Sequence, residues 1–196
     1  MATVMMFHHI QGSTPGMRRF ADAIRAAGHD VHAPDLYDGR LFDTIEEGAA
    51  FRRSGAVDVD ARAAEEAERL TEDLVYLGVS SGVMHAQRLA QTRSGARGAV
   101  LIESAIPITG EWAFGAWPDG VPVQIHGADA DEFFAGEGDI DAAREIVETV
   151  PDAELFLYPG DRHLFEDDSL PSYDPEAAAL LTQRVLAFLA RIDTTT

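Results

Sequence analysis

The segment Gly78-Val79-Ser80-Ser81-Gly82 sets a serine between two glycines, directly after the apolar run Leu74–Leu77 and before a helical pattern opening at Ser81. A serine in so tight a strand–turn–helix corner is held at strained dihedrals, with its hydroxyl projecting beyond the strand end. The flanking glycines are required because side chains there would collide with the neighbouring strand and helix. Such a hydroxyl is suited to acyl transfer, and the Ser81 backbone N–H, at a helix N-terminus, is suited to stabilise an oxyanion. Eight serines and 17 glycines among 196 residues lead to on the order of 0.06 chance occurrences of the pattern. The bland alternative is a glycine-rich turn that does no chemistry.

A serine nucleophile needs a base, and the base needs an acid to orient it. With this kind of elbow the chain order is serine, acid, histidine. His163 follows the run Ala153–Tyr158, in Pro159-Gly160-Asp161-Arg162-His163, at the end of the chain's last strand candidate. The acid belongs after Val121–Ile125, where Asp129, Asp131 and Glu132 stand. Asp131 is preferred, Asp129 is second, and Glu103, at the end of Val100–Ile102, is a third possibility. His29, His32 and His85 read as structural or solvated. His8, His9 and His126 could ligate a metal together with the acidic loop, but no His-x-x-x-His pair sits on a helix, so no metal is expected.

The alphabet itself excludes chemistry. There is no cysteine and no lysine; all 15 basic residues are arginine. Thiolate catalysis, cysteine-ligated zinc, iron–sulfur clusters, Schiff bases and a P-loop lysine are therefore absent. A formal net charge of −19 repels phosphate backbones and anionic lipids, so neither nucleic acid nor membrane is an expected partner. No apolar run approaches the roughly 18 residues a span requires. Met1–Ile10 lacks a basic region ahead of its apolar residues, so it does not read as a signal peptide, and a cytoplasmic location is expected.

The elements that would position these groups alternate along the chain. Strand candidates are Val4–His8, Asp30–Pro34, Leu74–Leu77, Gly98–Ile102, Val121–His126 and Ala153–Tyr158. Between them lie helical patterns: Thr14 as N-cap with Pro15 behind it, an alanine-rich stretch over Asp58–Leu70, Ser81–Leu89, a stripe at Ile140, Ala143 and Val147, and a closing helix marked by Leu181, Val185, Phe188 and Ile192. Continuous apolar strands alternating with helices predict a single α/β domain over 1–196, with a mainly parallel sheet covered on both faces. Ligands in such sheets bind beyond the C-terminal strand ends. Two aromatic-rich segments, Ser104–Gly120 with Trp112, Phe114 and Trp117, and Leu36–Gly55 with Tyr37, Phe42 and Phe51, read equally as loops walling that site or as aromatics that plug the core.

At this point the chain resembles the dienelactone hydrolase family of α/β-hydrolases. The resemblance rests on Phe7-His8-His9-Ile10-Gln11-Gly12, Pro34-Asp35-Leu36-Tyr37, the elbow Gly78–Gly82, Asp131 with Phe133, and Pro159-Gly160 with His163 and Phe165. It implies a compact α/β-hydrolase fold with a minimal lid, Ile10 as donor of a second oxyanion N–H, and Asp131 as triad acid. Residues expected to face substrate are His9, Gln11, Tyr37, Trp112 and Phe134. Three positions depart from the archetype: serine replaces cysteine at 80, His9 stands where a glutamate primes that cysteine, and Asp167 stands where an arginine holds the substrate carboxylate.

The expected function is that of a cofactor-free serine hydrolase, monomeric or homodimeric, cleaving an uncharged small ester, lactone or thioester. Two alternatives are a biosynthetic lyase, cyclase or C–C bond hydrolase using the same triad, and a non-catalytic α/β binding module.

Overall fold

The computed structural model describes residues 1–70 and 73–193. Six strands, β1 (Thr3–Phe7), β2 (Asp30–His32), β3 (Leu74–Val79), β4 (Ala96–Ile102), β5 (Val123–Ala128) and β6 (Ala153–Tyr158), form one sheet in the order β2-β1-β3-β4-β5-β6. Every pairing is parallel. The helices are α1 (Pro15–Ala26), α2 (Ile45–Ser54), α3 (Val59–Glu68), α4 (Val83–Thr92), α5 (Asp139–Thr149) and α6 (Pro175–Asp193).

The period-2 alternation of strand side chains divides the core into two layers. Val4, Met6, Val75, Leu77, Val100 and Ile102 pack with Met17, Phe20 and Ile24 of α1 and with Leu181, Val185 and Phe188 of α6. Met5, Phe7, Leu74, Tyr76, Ala99 and Leu101 pack on the opposite face, with alanines of α3 and α4 and with Ile146 of α5. β5 breaks the apolar pattern at Gln124 and His126, both buried. The His126 ring stacks on Phe156 and Tyr158. Its Nε2–H donates to Gln124 Oε1 (2.9 Å), and its Nδ1 accepts from the Tyr158 hydroxyl (2.8 Å). His126 is thus a satisfied core residue, and burial holds its pKa down at about 3.

Strand order reverses around β1, with β2 on one side and β3 on the other. The C-terminal ends of β1 and β3 flank this switch point, where open α/β sheets bind ligands. Both the loop after β1 and the serine elbow after β3 emerge there.

One element departs from the expected organisation. The segment read as the loop Leu36–Gly55 contains helix α2, capped by Thr44, whose Oγ accepts the Glu47 N–H (3.2 Å), and closed by Gly55 in the left-handed region. Its apolar face is narrow, so periodicity missed it, although the Thr-x-x-Glu start and the glycine stop are written in the sequence. Among the described residues, no helix is long and apolar enough to cross a membrane.

Candidate active site

Ser80 opens a single 3₁₀ turn, Ser80–Gly82, between β3 and α4. Its φ is +48°, a left-handed conformation rarely adopted by a side chain with a β-carbon. A β-carbon at Gly78 would lie 2.5 Å from the Gly82 carbonyl oxygen; one at Gly82 would lie 2.4 Å from that of Phe7. Both glycines are therefore dictated by close backbone packing of the elbow upon itself and upon β1.

The Ser80 hydroxyl lies 2.8 Å from His163 Nε2. On the far side of the ring, His163 Nδ1–H donates to Asp131 Oδ2 at 2.6 Å. Asp131 is fully buried, and its Oδ1 accepts the Phe133 N–H (3.0 Å), which fixes the carboxylate plane. Asp129, the second acid candidate, accepts the Gly160 N–H (3.1 Å) and anchors the turn after β6. Glu103, the third, has Oε2 3.9 Å from His163 Nδ1. The acid in hydrogen-bonding contact with the imidazole is Asp131.

The loop after β1 is held by two histidines of opposite tautomer. His8 Nδ1–H donates to the His9 carbonyl (2.8 Å), and Nε2 accepts the Leu36 N–H (3.1 Å). His9 Nε2–H donates to Asp167 (2.9 Å), and Nδ1 accepts the Gln11 N–H (3.2 Å). Ile10 lies between these clamps, in the loop beside the elbow. Burial pushes His8 down to about 4 and lowers His9 as well, so both rings are neutral at neutral pH. For Asp167, burial alone would raise the pKa; hydrogen bonds from His9, Ser169 and Thr14 outweigh it and hold the carboxylate at about 2. Asp167 thereby ties the β1 loop and the N-terminus of α1 to the segment following His163.

The residues expected to face substrate separate in the structure. His9 is fully buried, committed to Asp167. Gln11 is also buried, and its Nε2 donates to the Phe42 carbonyl (2.9 Å). Tyr37 is a core residue packed edge-on against His8, Phe42 and Phe51. These three support the site from behind. Phe134 is a correction: it is 0% exposed, directly beneath Gly127. Its neighbour Phe133 lies against the His163 ring, with centroids 4.7 Å apart. The Asp131–Phe133 hydrogen bond turns the chain, and this sets which of the two adjacent phenylalanines faces the site. Trp112 is 78% exposed on the loop between β4 and β5, whereas Trp117 is buried and donates its Nε1–H to the Val121 carbonyl (2.7 Å).

Sequence reasoning singled out neither Glu166 nor the clamping role of Asp167. Both lie in the run Leu164–Asp167, which is buried although it follows an exposed turn. Two acidic residues beside His163 were the available signal.

A parallel sheet wound on both faces, a strained serine elbow at its switch point and a histidine returning from beyond the last strand together define the α/β-hydrolase class. Within that class, the dienelactone hydrolase family model matches residues 118–193, the part of the chain that carries Asp131 and His163. The resemblance read from the sequence is borne out there. Among solved structures, the chain is similar to a dienelactone hydrolase-like promiscuous phosphotriesterase from metagenomic libraries, at 16% identity and TM-score 0.72, covering 98% of this chain and 87% of that one. It is also similar to a candidate dienelactone hydrolase from Klebsiella pneumoniae, at 20% identity and TM-score 0.70, with 96% and 86% covered. Thermogutta terrifontis esterase 2, solved phosphoramylated by tabun, matches at 18% identity and TM-score 0.69, with 97% and 83% covered. No curated protein matches the chain.

Proposed function

We propose that the protein is a serine hydrolase that cleaves a small uncharged ester, lactone or thioester through an acyl-enzyme. The observation that carries this reading is the continuous hydrogen-bonded line from Ser80 Oγ through His163 to buried Asp131. Ser80 Oγ attacks the substrate carbonyl carbon as His163 Nε2 takes its proton, and Asp131 stabilises the imidazolium. The N–H groups of Ser81 and Ile10 stabilise the developing oxyanion. His163 then protonates the leaving alkoxide or thiolate. Water, deprotonated by the same nitrogen, attacks the acyl carbon and restores Ser80.

Selectivity for uncharged substrates rests on the acidic surroundings. Asp131 and Asp167 are buried around or just beyond His163, and an anionic substrate would meet no compensating charge from Asp167. The description of one structural neighbour as an esterase and another as a promiscuous phosphotriesterase is in keeping with attack on carbonyl and phosphoryl centres.

The test is a substrate panel of short uncharged esters, lactones and thioesters, each paired with a carboxylated analogue. The expected result is turnover of the uncharged member of at least one pair, lost by on the order of 10⁴-fold or more in Ser80→Ala. Equal turnover by Ser80→Ala, or preference for the carboxylated analogues, would contradict the proposal.

A further inference from the structure

Glu103 directly follows β4 and is 1% exposed. Its carboxylate has two partners, both backbone donors of the segment immediately after His163: the Leu164 N–H at 2.7 Å and the Phe165 N–H at 3.1 Å. Both ends of this strap are in the left-handed region, Glu103 at φ +59° and Leu164 at φ +61°. Non-glycine residues hold such angles only where surrounding contacts over-determine them. Here the reciprocal fixation is the pair of hydrogen bonds.

The strap also brings Glu103 Oε2 to 3.9 Å from His163 Nδ1, the nitrogen that donates to Asp131. Two buried carboxyl groups therefore flank one imidazole N–H, Asp131 in contact at 2.6 Å and Glu103 at 3.9 Å. The acidic groups facing Glu103 are Glu166 and Asp131.

We propose that Glu103 is a positioning residue for His163. It anchors the histidine's loop by its backbone, and it is a standby acid that takes the Nδ1–H bond when Asp131 is removed. The inference rests on His163 being the base of the proposed reaction, and no covalent step is added to that reaction. A small swing of the ring brings Nδ1 within hydrogen-bonding reach of Oε2, since the shortfall from ordinary N–H···O contact is under about 1.2 Å.

The experiment compares four chains: native, Glu103→Gln, Asp131→Ala and the double substitution, each checked for folding by thermal unfolding. The first readout is the downfield proton resonance of His163 Nδ1–H, assigned with ¹⁵N-histidine. It is expected to persist, shifted, in Asp131→Ala and to disappear in the double variant. Its loss in folded Asp131→Ala, or its persistence in the double variant, would overturn the proposal.

The second readout is the rate of Ser80 modification by a fluorophosphonate. Glu103→Gln is expected to slow the native chain less than about tenfold but the Asp131→Ala chain by about a hundredfold, a coupling of the size found for groups sharing one partner. Equal slowing in both backgrounds would reduce Glu103 to a loop anchor and refute the standby role. If Asp131→Ala fails to fold, Asp131→Ser carries the same comparisons, because its hydroxyl can still accept the Phe133 N–H. Should the native chain resist the probe while the resonance behaves as expected, the hydrolase reading fails and the placement of Glu103 stands.

Discussion

Glu166 is a buried carboxylic acid whose two oxygens have no hydrogen-bond partner among the described residues. Burial, reinforced by the nearby charges of Asp167 and Asp131, pushes its pKa up to about 8. Because the folded value lies above the unfolded one, its stabilising contribution is complete below about pH 4.5 and is lost as pH rises through 8. Glu166→Gln, a neutral isostere, is therefore expected to raise the unfolding free energy at pH 9 by on the order of a few kcal/mol and to change it little at pH 4. No gain at pH 9 would show that the side chain is not held neutral by burial. The buried histidines act in the opposite direction. Burial lowers His8 and His85 to about 4 and His126 to about 3. Their folded values lie below the unfolded one, so the unfolded chain binds more protons and stability falls as pH drops from about 6.5 towards 4. Because Glu166 titrates in the opposite sense, the difference between chains carries the test: denaturant titrations at pH 7 and pH 5 are expected to show a smaller loss, or a larger gain, of stability on acidification in His126→Gln than in the native chain. An unchanged pH dependence in His126→Gln would contradict a buried neutral ring.

At the scale of elements, the elbow is a packing problem before it is a catalytic one. Gly82→Ala would drive a β-carbon into the Phe7 carbonyl, a backbone atom that cannot rotate away. A loss of about 2 kcal/mol or more is expected, together with a strong loss of Ser80 reactivity. An unchanged denaturant midpoint would contradict the close approach of elbow and β1. Thr44→Ala should cost about 1 kcal/mol through loss of the α2 cap alone, leaving Ser80 reactivity intact. How much of this was legible in the sequence follows the same physics. The strands, α1 with its Thr14 cap and the elbow were readable because their signals are local: continuous apolar runs, a threonine before proline, glycines at fixed offsets. α2 was not, because Ile45 and Phe51 make too thin a stripe for periodicity to outweigh the surrounding polar residues. The choice between Phe133 and Phe134, and the burial of Glu103 and Glu166, depend on chain turns and long-range contacts that neighbouring residues do not encode. Asp131 and Asp129 differ by two positions, and only the path of the loop after β5 brings one to His163 and the other to Gly160.

For the molecule as a whole, six parallel strands deliver three distant segments to one edge of the sheet. The serine arrives on β3, the acid after β5 and the histidine after β6, while the loop from β1 closes over the elbow at the switch point. Asp167 then links that loop to the histidine segment across 158 residues of chain through its bond to His9. The surface is strongly acidic, with a formal charge of −19, which favours solubility and disfavours anionic ligands. Under the proposed function, this organisation serves the Ser80 hydroxyl. The most direct measurement is intact-mass labelling with a fluorophosphonate, followed by peptide mapping, on the native chain, Ser80→Ala and His163→Ala. The account predicts a single adduct on Ser80, absent in Ser80→Ala and slowed by on the order of 10³-fold or more in His163→Ala. A folded native chain that takes no adduct, or takes one elsewhere than Ser80, would contradict it.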